Sequence, residues 1–368
     1  MILDELVEFL KKLVILKNGE TYDALALWIT HTYAISEFDF TPRLGIWSPE
    51  KRCGKSLVIE VISYLVEKPR MTSSISVSAL FRMIELEEST VVFLDEADRT
   101  FGKEANREKA NDLIQICNSG FKRGSTVIRV EGKNFTIKEF KVFCPVVMAG
   151  IGISSIPETI SDRSVLIEMR RKYPNEKIQE FESDQIEELF NPYKERLREW
   201  VNLHSYKFRS SRPEMPLELN SRARDVWKDL FKIADSAGDE WFKKASKACL
   251  VLQVGRDDEE EGSWQLRLLK DIRSVFVGDQ MATQDLMEAL KGIEEARYKY
   301  DERFNPRWIS NGLKNYGIHS EQLRDQNGKQ FRGYRRSNLE EAWKRYLPAE
   351  SVTSVTPVTE EEKDLWKL

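Results

Sequence analysis

The sequence predicts an α/β fold: a parallel sheet covered by helices on both faces, preceded by helices and followed by a small second domain. Three observations predict it. Short apolar runs, Leu44–Trp47, Thr90–Leu94 and Val142–Met148, alternate with helical segments, and strands buried on both faces read as such continuous runs. A polar break at Arg256–Gly262 then divides the chain. Finally, 41% hydrophobic and 32% charged residues in 368 can bury a core, which excludes a disordered chain.

Residues 1–40 read as helical, with Leu3, Leu6, Val7, Leu10, Leu13 and Val14 on one stripe and Tyr22 to Tyr33 forming another. Residues 41–175 carry the α/β pattern. Its strands are Leu44–Trp47, Thr90–Leu94, Val142–Met148 and Ser164–Met169, and its helices cover 55–66 and about 104–118. Val127–Val130 and Phe135–Ile137 flank Glu131-Gly132-Lys133-Asn134, a hairpin signal. Residues 176–255 are helical and aromatic, with Trp200, Trp227, Phe231 and Trp241. A separate domain is expected over 263–348, and a disordered Ser/Thr/Val-rich and acidic tail over 349–368.

Composition narrows the chemistry. Fifty-seven Lys and Arg against sixty-one Asp and Glu give a net charge of −4, so any nucleic-acid surface must be local. Cysteines at 53, 117, 144 and 249 lack paired spacing and only three histidines occur, which argues against a disulfide framework or a Cys/His zinc site. The longest apolar run, Val142 to Ile153, contains Pro145 and is too short for a membrane span. The start lacks the basic residues of a signal peptide. A cytoplasmic protein without membrane contact is expected.

Ser48-Pro49-Glu50-Lys51-Arg52-Cys53-Gly54-Lys55-Ser56 follows a strand and opens a helix. It reads as a phosphate-binding loop, whose backbone N–H groups turn inward around an anion at a helix N-terminus. Pro49 through Ser56 would form the cradle: Gly54 allows close approach, Lys55 reaches the outer phosphates and the Ser56 hydroxyl can bind Mg²⁺. Pro49 stands where the usual pattern has its first glycine. A second signal lies in Thr90–Asp98, an apolar strand ending in acids. There Asp95 can hold the Mg²⁺ shell and Glu96 can orient an attacking water.

Arg163, in Ser161-Asp162-Arg163-Ser164, could reach the γ-phosphate of a neighbouring subunit as an arginine finger, or be a surface residue at a helix end. Arg170 and Arg171 are rival candidates. Arg222 or Arg224, at a predicted helix start, could contact nucleotide from above or be merely solvated.

With these segments the chain resembles an AAA+ ATPase over residues 42–255. It is most similar to a phage- and plasmid-associated ATPase family whose catalytic region is catalogued as a domain of unknown function. The resemblance rests on the loop at 48–55, Leu94–Asp98, Asn118-Ser119-Gly120, Ile156–Ser164 and Ile233–Gly238, in that order. It implies an AAA+ core with a helical lid, ATP and Mg²⁺ as ligands, a homo-oligomer such as a hexamer, and a primase partner. It also implies Arg163 as the finger and Arg222 or Arg224 as the lid arginine called sensor 2. The polar sensor-1 residue of such enzymes is not evident, because Ala149-Gly150-Ile151-Gly152 stands in its place.

Two regions are expected to meet DNA. Residues 121–141 hold Lys122, Arg123 and, at the hairpin tip, Lys133. In related ring helicases such a hairpin projects into the pore, where it would track a single strand. The C-terminal domain gathers basic and aromatic residues and reads as a winged helix, with Arg324, Arg332, Arg335 and Arg336 facing duplex backbone, although winged helices also dock proteins. The function expected is an ATP-driven, ring-forming DNA helicase or translocase of a virus or mobile element, acting in replication. An ATP-switched initiator or loader, and an ATPase regulator of protein partners, are the alternatives.

Overall fold

The computed structural model describes residues 1–71, 76–87, 89–102, 107–131, 136–153, 156–254, 264–293, 298, 304–314, 316–324 and 328–347. Two compact units divide at Arg256. The first is built on a five-stranded parallel sheet: β1 (Arg43–Ser48), β2 (Lys68–Met71), β3 (Thr90–Leu94), β6 (Val146–Ile151) and β7 (Ser164–Glu168). Their order across the sheet is β2-β3-β6-β1-β7, so β6 separates the strand bearing the candidate loop from the strand bearing the acids. Between β3 and β6 in sequence, β4 (Thr126–Glu131) and β5 (Thr136–Lys141) form their own antiparallel ribbon.

The strands alternate sides, as period-two geometry requires. Leu44, Ile46, Val91, Phe93, Val147, Ala149, Val165 and Ile167 enter one core, while Trp47, Val92, Leu94, Val146, Met148 and Leu166 enter the other. The first core is covered by α1 (Ile2–Leu13), α2 (Gly19–Tyr33), α3 (Lys55–Leu65), α8 (Ile186–Ser210), α9 (Ser221–Ala237) and α10 (Asp239–Cys249). The N-terminal helices and the helical region after the sheet thus share one apolar interior, although the whole sheet lies between them in sequence. The second core packs under α4 (Val77–Leu86), α5 (Ala97–Phe101), α6 (Arg107–Ser119), α7 (Glu158–Ser161) and the inner face of the ribbon, through Val127 and Phe140.

Two details depart from the sequence reading. The strand expected at 142–148 runs instead from Val146 to Ile151: Pro145 has no N–H for the ladder, and Gly150 continues the strand against the Trp47 ring. A Cβ on Gly150 would lie 2.2 Å from a Trp47 ring carbon. The hairpin tip, Lys133 included, lies outside the described residues, as do 349–368.

The second unit has a three-stranded antiparallel sheet, in the order β8 (Gln280–Ala282), β10 (Gln330–Arg335), β9 (Glu321–Arg324). Helices Trp264–Val275, Thr283–Lys291, Pro306–Lys314 and Arg336–Tyr346 accompany it, packing on Leu268, Leu286, Ile309 and Leu339. No helix among the described residues is long and apolar enough to cross a membrane.

Candidate phosphate site at the carboxyl edge of the sheet

In open α/β sheets, ligands bind outside the carboxyl ends of the strands where the strand order reverses. The loop 48–56 leaves β1 at that edge, beside β6. Arg52 and Gly54 take left-handed backbone, φ 65° and 82°, which turns the chain sharply before α3. Gly54 is the N-cap of α3 and no side chain caps the helix, so its first amides have no acceptor within the helix. Lys55 lies back over the loop: its Nζ donates to Ser48 Oγ at 2.5 Å and to the Glu50 carbonyl at 3.5 Å. Its ammonium therefore sits among oxygens, as it would among phosphate oxygens.

Neighbouring strands are about 5 Å apart, which puts β1 and β3 about 10 Å from each other. Asp95 and Glu96 follow β3 at the same edge as the loop. Leu94 is level with Met148 on β6, whereas Ser48 is level with Ile151, so the acids leave the sheet lower than the loop does. Helix α5 makes up the difference. Asp98, on that helix, accepts from the Ile151 amide at 3.1 Å across 53 positions of sequence, a tie that the local spacing of the acidic motif does not reveal. Glu96 also has left-handed backbone, φ 53°, a strained state that clusters at functional sites. Asp95 Oδ1 accepts from the Glu96 amide at 2.8 Å, and the Glu96 carboxylate pairs with exposed Arg99 at 2.8 Å.

No group of three or more His, Cys, Asp or Glu able to hold a metal occurs among the described residues. Mg²⁺ needs one or two protein oxygens when phosphate oxygens and water supply the rest, and Ser56 with Asp95 would provide them. Beside the loop lies a cavity of about 430 Å³ lined by Lys17, Pro49, Glu50, Cys53, Arg170 and Arg171. Arg171 pairs with Glu50 at 3.3 Å and Arg170 with Glu176 at 2.9 Å. The rival arginines therefore stand at the loop's own edge. Lys51 and Arg52 are exposed, while Cys53 is buried.

Arg163 lies at the opposite edge. Its carbonyl accepts from the Arg43 amide at the start of β1, and six strand residues, about 17 Å, separate that level from the loop. Burial first, then neighbouring Arg222, hold Arg163 below the ordinary guanidinium pKa. Both guanidinium groups lie 5.9 Å from the centre of the Phe121 ring. Lys122 and Lys228 flank the adjoining Phe40 ring at 5.8 and 5.7 Å. The chain thus gathers Arg163 and Arg222 with each other and places neither at its own loop. Asn118 helps fix this edge, its amide donating to Thr159 Oγ1 at 3.2 Å.

Several arginines expected at ligands are engaged within the fold. Arg224 donates to the carbonyls of Leu219 and Pro216, both at 3.1 Å, closing the turn before α9. Arg123 donates to Phe38 O at 2.7 Å and to Ile35 O, gripping the segment between α2 and β1. In the second unit, Arg335 pairs with Glu321 at 3.2 Å and Arg336 with Glu340 at 3.6 Å, while Arg332 donates to Ser320 Oγ at 3.0 Å. Arg324 is exposed on β9.

Residues 168–346 match the family described as "Protein of unknown function (DUF3631)". A relative from Saccharopolyspora erythraea, described as an "Uncharacterized 28.9 kDa protein in xis 5'region", is 32% identical over 184 residues, covering 49% of this chain and 69% of that protein. The chain belongs to the family of that protein. The DUF3631 match begins at the last residue of β7 and extends through α8–α10 into the second unit, so the loop and the acids precede it. The solved structure titled "The A form apo structure of NrS-1 C terminal region-CTR(305-718)" is a fainter likeness, 15% identical with a TM-score of 0.39, covering 91% of this chain and 74% of that one.

Proposed function

We propose that the chain is an ATPase with an AAA+ core that works on DNA as a ring-forming homo-oligomer, a helicase or translocase of a virus or mobile element. The observation that supports this reading is that Lys55 and Ser56 follow β1, and Asp95 and Glu96 follow β3, at the same carboxyl edge of one parallel sheet, with a single strand between them. In this reading the loop amides and Lys55 bind the phosphates, and Glu96 orients the attacking water. Ser56 and Asp95 would hold Mg²⁺, which when bound neutralises charge between phosphate oxygens.

The placement of the arginines supports an oligomer. Arg163 and Arg222 stand about one strand length from their own loop, so a phosphate they stabilise belongs to a neighbouring copy. The second unit, with its helices, three-stranded sheet and basic strand residues, is read as a winged helix on duplex DNA.

The test is ATP turnover by the purified full chain with and without single-stranded DNA, beside strand displacement on a forked duplex. Turnover stimulated by DNA together with displacement supports the motor. Stimulation without displacement favours the ATP-switched initiator or loader. Turnover indifferent to DNA favours a regulator of protein partners, and absence of ATP binding sinks the proposal.

A further inference from the structure

The acids and the loop leave the sheet at different heights. Leu94, the last residue of β3, is level with Met148, whereas Ser48 is level with Ile151, three residues or about 10 Å further along β6. β6 stands between them, and its final residues, Met148-Ala149-Gly150-Ile151, offer no polar side chain. What its tip offers is backbone. The Ile151 amide donates to Asp98 Oδ1 at 3.1 Å, and the Gly152 amide donates to the Ser48 carbonyl at 3.0 Å. The Ser48 hydroxyl in turn accepts from Lys55 Nζ at 2.5 Å. Two consecutive amides thus link the acid-bearing turn on one side to the loop lysine on the other.

Asp98 is half-buried and has room to reach that amide. A Cβ on Gly150 would lie 2.9 Å from Asp98 Oδ1, so any other residue there would crowd the approach. Helix α5 moves as one piece with Glu96, because the Glu96 carbonyl accepts from the Arg99 and Thr100 amides at 2.9 and 3.2 Å. Glu96 itself holds left-handed backbone, φ 53°. A residue with a side chain keeps that state only where its surroundings over-determine it. Asp95 Oδ1, accepting from the Glu96 amide at 2.8 Å, is one restraint, and the Asp98 tie, which pins the helix that Glu96 starts, is another. The ion pair of Glu96 with Arg99 is exposed on both sides and adds little.

We propose that Asp98 is a positioning residue for hydrolysis, holding Glu96 at the height of the loop through the Ile151 amide. This rests on the ATPase reading above. Its acceptor oxygen does the work, so Asp98→Ala and Asp98→Asn part company: asparagine keeps an oxygen for that amide and alanine does not. In the full chain, Asp98→Ala is expected to lower single-turnover ATP hydrolysis about a hundredfold, the scale of a misplaced catalytic group. Nucleotide affinity, carried chiefly by the loop, should fall far less, and Asp98→Asn should rescue most of the turnover. A role in stability alone would instead lower affinity and the urea midpoint in step with turnover. The same pair of variants is then made in the Glu96→Gln chain. A residue that acts through Glu96 has nothing left to position there, so Asp98→Ala should cost no further hydrolysis, whereas independent effects multiply. Parental turnover by Asp98→Ala, failure of Asp98→Asn to rescue, or multiplying losses in the Glu96→Gln chain each overturns the inference alone. A parent chain that hydrolyses no ATP overturns the ATPase reading and the inference with it.

Discussion

Arg163 and Arg222, 59 positions apart in sequence (222 − 163), share the ring of Phe121, each guanidinium carbon 5.9 Å from its centre. Two like charges so placed repel, and burial adds to the cost of holding Arg163 charged. Such an arrangement is useful where an anion arrives to join them.

Arg163→Ala and Arg222→Ala are therefore expected to retain nucleotide binding, with Arg163→Ala losing on the order of a thousandfold in hydrolysis, the scale of arginine fingers. Mixing either variant with Lys55→Ala should restore part of the activity, because mixed interfaces pair an intact loop with an intact arginine pair. Turnover across mixing ratios, with subunit exchange verified, is the measurement. No recovery with Arg163→Ala at any ratio would shift the role to Arg170 or Arg171 at the loop's own edge.

Glu96→Gln should bind ATP and hydrolyse little of it, since the amide cannot accept the proton that a water-orienting carboxylate takes. Lys55→Ala should lose nucleotide-dependent function altogether. Single-turnover hydrolysis beside equilibrium binding separates the two, and parental hydrolysis by Glu96→Gln would remove that residue from the chemistry.

Gly150→Ala places a methyl group into the Trp47 ring, and overpacking of this kind costs about 1–3 kcal/mol. Because Asp98 is tied to the adjoining Ile151 amide, nucleotide affinity should fall along with stability. Urea midpoints and ATP binding check both, and an unaltered midpoint would contradict the close packing of β1 on β6.

Stability should also depend on pH through His31. It is fully buried, its Nε2 donating to Phe40 O at 3.0 Å, and burial, opposed by that carbonyl and by Asp229, lowers its pKa to about 4. The unfolded chain takes up a proton near pH 6.5 that the folded chain refuses, so the contribution is present above that pH and is lost as pH falls toward about 4. Between pH 7 and 5 this amounts to roughly 2 kcal/mol. Urea unfolding of the parent and His31→Gln at both pH values should show the gap between them narrowing at pH 5; a constant gap would mean that His31 titrates normally.

The strand cores were legible because β1, β3, β6 and β7 are buried on both sides and keep long apolar runs. The start of β6 was less so: Val142 and Cys144 are as buried as strand residues, but Pro145 delays the ladder. The shared interior of α1, α2, α9 and α10 was hidden, since an apolar stripe such as Leu3, Leu6 and Leu10 tells that a face is covered and not what covers it. In the site, the sharp turn of the loop before a helix and the acids at the end of β3 were legible in local spacing. The partners of the basic residues were not. Arg129 binds Asp112 at 2.6 Å and Lys138 binds Glu85 at 3.2 Å, partners that a count of positive charge along 121–141 does not reveal.

The common interior of the first and last helices of the first unit has a consequence for synthesis. Helix α2 ends at Tyr33, and its partner α9 begins only at Ser221. At about 5–20 residues per second, roughly 10–40 s pass on the ribosome before the covering helix exists. Through that interval Leu25, Trp28 and Ile29, all fully buried in the finished fold, have no completed core to enter. The apolar faces of the first helices thus stay uncovered for that interval, and slowing translation between Tyr33 and Ser221 should raise aggregation of the nascent chain.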